Sequence, residues 1–125
     1  MNAHGAFKSC GSCRTPCPSW EEFVTDPQVR LLGLQAIAGV ADASLLVFEH
    51  RCGSSVSVLT KRLRYLLPEH QGANWPSLRG TDQCPGHCLH LGDMSVCPRE
   101  CRNGRDRELI KLVQRLHASR DSRFN

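Results

Sequence analysis

Aromatic residues are scarce in this sequence. Trp20, Trp75, Tyr65, Phe7, Phe23, Phe48 and Phe124 are all it has. A core can still form, but it must be aliphatic and modest, and a metal or covalent cross-link adds most to such a chain. Long hydrophobic runs are also missing. Leu31 to Val40 is the longest apolar stretch; Gly33, Gln35 and Gly39 interrupt it, and it falls far short of the roughly 20 residues needed to span a bilayer. No membrane partner is expected. Met1 to Lys8 carries no apolar stretch of the kind that directs export, so a cytoplasmic protein is the expectation. No Gly-rich phosphate loop, Ser/His/Asp arrangement or paired-carboxylate site is visible. Nucleotide-cradling and common hydrolytic chemistries therefore have no motif to carry them.

Charge of one sign is weak as well. Sixteen basic residues face twelve acidic ones, for a net charge of +4 and a pI of about 8.7. Nucleic-acid-binding domains usually lie above about 9. Arg99, Arg102, Arg105, Arg107, Arg115, Arg120 and Arg123 crowd the last quarter of the chain. Asp106 and Glu108 are interleaved among them, which reads as a solvated mixed face more readily than as a nucleic-acid patch.

Cysteine is what the chain has in quantity, with eight residues. Cys84-Pro-Gly-His-Cys88 and Cys97-Pro-Arg-Glu-Cys101 are matching pairs separated by eight residues, close enough for four thiols to reach one point. A reducing compartment favours metal ligands or redox centres over structural disulfides. Four thiolates can close a tetrahedral zinc site, and zinc pairs usually follow a C-x(2–4)-C spacing. Cys10, Cys13 and Cys17 form a second cluster, which Cys52 could complete, with His50 as an alternative ligand. The Cys-Pro dipeptides at Cys17, Cys84 and Cys97 keep an iron–sulfur cluster, such as [4Fe-4S], as the alternative to zinc.

Over Cys84 to Cys101 alone, the twin pairs resemble the small mitochondrial import chaperones. That resemblance would imply bridges Cys84–Cys101 and Cys88–Cys97 between opposed helices. The intervening loop is short for such a pair of helices, and Pro85-Gly86 is a poor helix former, so disulfides rank behind metal. His87 and His90 flank Cys88 and are read as loop residues, with ligation as the sharper alternative. His50 beside Cys52 could also be a base activating a thiol nucleophile, but no third orienting group stands at a telling spacing.

The organisation expected is one small α+β domain over residues 19–125, behind a Cys-rich lead-in over residues 1–18 that should be disordered without an ion or cross-link. Ser19-Trp-Glu-Glu22 is a capping-box pattern that starts a short helix. Asp26-Pro27 predicts a second helix running to about Ala38. Ala43–His50 and Ser55–Val58 predict strands of a hairpin about a turn at Arg51–Ser54. Thr60 is expected to cap a helix over Lys61–Leu67, with Leu59, Leu63, Leu66 and Leu67 facing the core and Pro68 stopping it. A helix turn is expected to begin at Pro98, Asn103-Gly104 to be a break, and Asp106 to cap a last helix to about Ala118, followed by a frayed tail. Helices would thus pack on a short antiparallel hairpin, with the cysteine-rich C-terminal segment organised by metal. The expected role is a zinc-binding regulatory or interaction module with a protein partner. An iron–sulfur sensor or electron carrier, and a thiol-dependent enzyme using Cys52, are the alternatives.

Overall fold

A computed structural model describes residues 8–9, 16–17, 19–37, 44–67, 75–78 and 81–122. In chain order the elements are β1 (Lys8–Ser9), β2 (Pro16–Cys17), α1 (Trp20–Thr25), β3 (Val29–Ala36), β4 (Ser44–His50) and β5 (Ser55–Leu59). A 3-10 helix (Thr60–Leu66), a 3-10 turn (His87–Leu89), α2 (Arg102–Asp106) and α3 (Glu108–Ser122) follow. Strands β3, β4 and β5 form an antiparallel sheet in that order. The α+β class therefore holds, and the sheet has one strand more than a hairpin. The lead-in, expected to lack structure, carries the short antiparallel pair β1–β2.

The extra strand replaces the helix expected after Pro27. Asp26 caps a turn instead of a helix: its carboxylate accepts from Gln28 N–H at 2.8 Å, and its carbonyl accepts from Val29 N–H at 3.0 Å. Val29 and Leu31 then point inward and Arg30 outward, the period-2 alternation of a strand. A register shift between Leu31 and Gly33 brings Leu34 into the core. Arg30 pairs across the sheet with Glu49 at 2.7 Å; both side chains are exposed, so the pair contributes little stability. Gly33 is required by a close approach, because a Cβ there would lie 1.6 Å from the carbonyl oxygen of Leu91.

The other strands follow expectation. The turn closes with His50 N–H to the Ser54 carbonyl at 2.9 Å and Gly53 N–H to the His50 carbonyl at 2.8 Å. Ser19 caps α1, accepting from Glu22 N–H at 3.1 Å, a bond that contributes about 1 kcal/mol. Helix α1 delivers Trp20, Phe23 and Val24 to the core, where Phe23 meets Phe48 edge-on at 4.9 Å. Helix α3 contributes Leu109, Ile110 and Val113 and packs on α1 and β3.

Several local expectations are corrected. The segment after β5 is a 3-10 helix with Thr60 as its first residue. The Thr60 hydroxyl is spent on buried oxygens, the Ser44 carbonyl at 3.2 Å and Asp106 Oδ2 at 2.9 Å. Leu59 is exposed, although Leu63 and Leu67 are buried. Asn103 and Gly104 lie inside α2. Asp106 does not cap α3; it is fully buried and receives Arg64 Nε at 2.8 Å and Nη2 at 2.7 Å. This bidentate clamp ties α2 to the 3-10 helix. The expected frayed tail is helical to Ser122, because buried Arg120 donates to the carbonyls of Asp26 and Val29, both at 2.7 Å. Pro68 and the last residues of the chain, 123–125, lie outside the described residues.

Candidate functional site

Local chain chemistry shapes both cysteine pairs. Pro85-Gly86 prevents a helix between Cys84 and Cys88. Gly86 adopts φ +88° and leads into the 3-10 turn His87–Leu89, a conformation that favours glycine. That turn packs on β3 and places Cys88 in the hydrophobic core. The second pair is not helical either. Residues 97–100 are irregular and Cys101 is the N-cap residue of α2, so the helix expected from Pro98 begins four residues later. Gly104 lies under Cys97: a Cβ there would stand 3.1 Å from Cys97 Cβ and 3.3 Å from its Sγ.

The result is a convergence. Cys84, Cys88, Cys97 and Cys101 all line one void of about 20 Å³, together with His87. That volume holds about one water-sized sphere. Cys84, Cys88, Cys97 and Cys101 are free thiols, so the bridged arrangement of the chaperone-like pattern is not formed. Cys88 and Cys101 are buried, while Cys84 and Cys97 are half-buried. Among the described residues, no three His, Cys, Asp or Glu side chains are drawn together tightly enough to hold an ion as they stand. The thiols ring the void without meeting at a point. The expectation of a segment organised by metal is therefore not what the structure shows.

The organiser on view is Arg107, a residue assigned from its neighbours to a solvated face. Its side chain is 0% exposed. It donates through Nε to the Ser95 carbonyl at 2.6 Å and through Nη2 to the Asp93 carbonyl, and it lies 3.5 Å from Asp93 Oδ1. Its Nη1 reaches Cys88 Sγ at 3.8 Å. Burial pushes the Cys88 thiol up in pKa, and Arg107 opposes that rise by hydrogen bond and charge. A second N–H points at sulfur: Leu78 N–H donates to Cys101 Sγ at 3.1 Å. Asp93 is held well below the usual carboxylate range, first by His87 and then by Ser95 N–H. No local pattern announces Arg107, because its acceptors lie twelve and fourteen residues away. His87 was visible by its place inside the first pair.

The second cluster is only partly within view. Cys10 and Cys13 lie outside the described residues. Cys17 is half-buried in β2 and packs against the core. Cys52 lies exposed in the turn between β4 and β5, with His50 Nδ1 3.2 Å and Ser54 Oγ 3.1 Å from its sulfur. A broad cleft of about 670 Å³ beside this turn is lined by His50, Arg51, Arg30 and Glu49. His90, the other candidate near the twin pairs, is exposed and does not line the void.

Comparison with protein-family models, with curated proteins and with solved structures finds no match. No helix among the described residues is long and apolar enough to cross a membrane.

Proposed function

We propose that this protein is a small, non-catalytic zinc-binding module, working in regulation or as an adaptor for a protein partner in the cytoplasm. Its metal would be held in the void between the twin cysteine pairs. The observation that carries this reading is that the four cysteines of the two pairs all line one ion-sized void. Thiolates are soft ligands that suit zinc, and a structural zinc site adds its binding energy to folding. Two N–H donors are already aimed at sulfur, Arg107 at Cys88 and Leu78 at Cys101, as outer partners of metal thiolates are. Metal entry would draw the thiols together. A void of about 20 Å³ suits one ion better than a four-iron cluster.

Elemental analysis of freshly purified anaerobic protein tests this. About one zinc per chain is expected, with a second if Cys10, Cys13, Cys17 and Cys52 form their own site. Cys101→Ser should lower zinc content and melting temperature together. Brown protein with bound iron would replace zinc by the iron–sulfur alternative. Colourless metal-free protein whose stability is indifferent to chelator would end the metal reading.

A second reading rests on the contact between His50 and Cys52. Imidazole within hydrogen-bond reach of a thiol can activate it as a nucleophile. Selective alkylation of Cys52 at neutral pH, slowed strongly by His50→Ala, would favour this thiol chemistry. Reaction of Cys52 at the rate of an ordinary exposed thiol would end it.

A further inference from the structure

The void is lined by a histidine as well as by the four cysteines. His87 Nδ1 lies 2.7 Å from Asp93 Oδ2. The other carboxylate oxygen accepts from Ser95 N–H at 2.9 Å and stands 3.5 Å from the Arg107 guanidinium. A carboxylate so surrounded only accepts, so the shared proton sits on His87 Nδ1. Nε2 is then the ring nitrogen that Asp93 leaves unengaged. Metal-ligating histidines almost always donate their other ring N–H to a carboxylate or carbonyl in this way, which fixes tautomer and ring orientation. Asp93 is itself fixed by its backbone, because its carbonyl accepts from Arg107.

Four sulfurs and one imidazole nitrogen are one donor more than tetrahedral zinc takes. The structure separates the sulfurs. Cys88 and Cys101 are buried and receive N–H donors. Cys84 lines the void but not the neighbouring cleft, whereas Cys97 lines both the void and that second cleft of about 240 Å³. That cleft is walled by Trp75, Arg99, Arg105 and Glu108. Resting on the zinc reading above, we infer that the ion is held by Cys84, Cys88, Cys101 and His87, with Asp93 positioning His87. Cys97 is left beside the metal as an accessible thiol on the wall of a cleft that bears two arginines. Small thiol-reactive electrophiles are the ligand class that such a cleft admits to a thiol on its wall.

X-ray absorption at the zinc edge of the intact, zinc-loaded chain tests the ligand set. A mixed shell is expected, with sulfur near about 2.3 Å and one nitrogen near about 2.0–2.1 Å. A shell of sulfur alone overturns this inference and leaves the zinc reading standing. Failure of the chain to retain zinc overturns the zinc reading itself. Asp93→Asn should weaken zinc binding by about 10–100-fold, a loss larger than any change it makes in the melting temperature of the metal-free protein accounts for. Unchanged zinc affinity in that variant removes the positioning role. Limited iodoacetamide treatment of zinc-loaded protein, read by peptide mass spectrometry, should modify Cys97 before Cys84, Cys88 and Cys101, with zinc retained. Equal protection of all four thiols would show that Cys97 is a ligand.

Discussion

Leu34, Leu46, Phe48 and Val58 have no exposed surface, and each strand of the sheet finds its backbone partners on a neighbour. Between Thr81 and Cys101 the described chain has a single 3-10 turn of three residues as regular structure. There the backbone is tied down by Arg107, by N–H to sulfur contacts, and by the seating of Cys88 in the core. One half is folded by burial of apolar surface, which is non-directional and spread over many residues. The other hangs on a few polar contacts, which are directional and fail singly. Such a segment is where a ligand can contribute most, because local stability is lowest where buried apolar contacts are few.

The largest effect should come from the apolar half. Phe48→Ala removes the ring at the centre of the Trp20–Phe23–Phe48 cluster and should cost about 3–5 kcal/mol of global stability. Urea unfolding would measure it, and the loss should be the same with and without zinc. Arg107→Met should come next, at about 1–3 kcal/mol, because it strips the donor from two part-buried carbonyls. Its signature is local: amide exchange should quicken over residues 84–101 while the sheet keeps its protection. Equal loss of protection in the sheet would show that the two halves are one cooperative unit.

The apolar half was also the more readable in sequence. Ser19 with Glu22, the apolar run of β4, the alternation of β5 and the stripe Leu109, Leu112, Val113 and Leu116 are local patterns, and each forms its expected element type. Strand β3 is ambiguous in sequence because Val29, Leu32 and Ala36 satisfy helical spacing while Val29 and Leu31 satisfy that of a strand. The backbone pairing of β3 with β4 and the approach of Leu91 to Gly33 decide between them, and neither is local. The twin cysteine pairs were legible as a convergence because thiols are rare and spacing constrains them. Arg107, Asp106 and Arg120 were not. A buried charge is defined by acceptors distant in sequence, and beside Glu108 or Asp121 these residues look like surface.

Gly33 is one place where the two halves touch, so Gly33→Ala probes their junction. Its methyl would collide with the Leu91 backbone, and overpacking of this kind costs about 1–3 kcal/mol. Since the segment around Leu91 is the weaker element, it should yield before the strand does. Alkylation of Cys88 in metal-free protein should therefore accelerate while the amides of β3 stay protected. Loss of β3 protection instead would mean that the cysteine segment is the stiffer partner.

The smallest effect is a pH dependence that should belong to the apolar half alone. His117 on α3 stacks edge-on against Phe48 at 6.4 Å, and its Nε2 is buried with no hydrogen-bond partner among the described residues. Burial lowers its pKa from the ordinary 6.5, and the charge of Arg120 adds to the fall; Asp121 and the Val24 carbonyl oppose it. The folded protein thus binds a proton at His117 less readily than the unfolded chain, and between the two values the unfolded state carries more protons. Stability rises with pH wherever that is so. It should be at its full value above about 6.5 and decline as the pH falls from there to the folded value. Asp121, held below its ordinary 3.8 by Arg120, acts only in a more acid range. Urea titrations at pH 7.5 and 5.5 on chelated protein exclude proton competition at metal thiolates. The wild type should be less stable at the lower pH, and His117→Leu should narrow that difference. If the variant keeps the whole difference, the sensitivity lies elsewhere, and the thiol-lined half becomes the place to look.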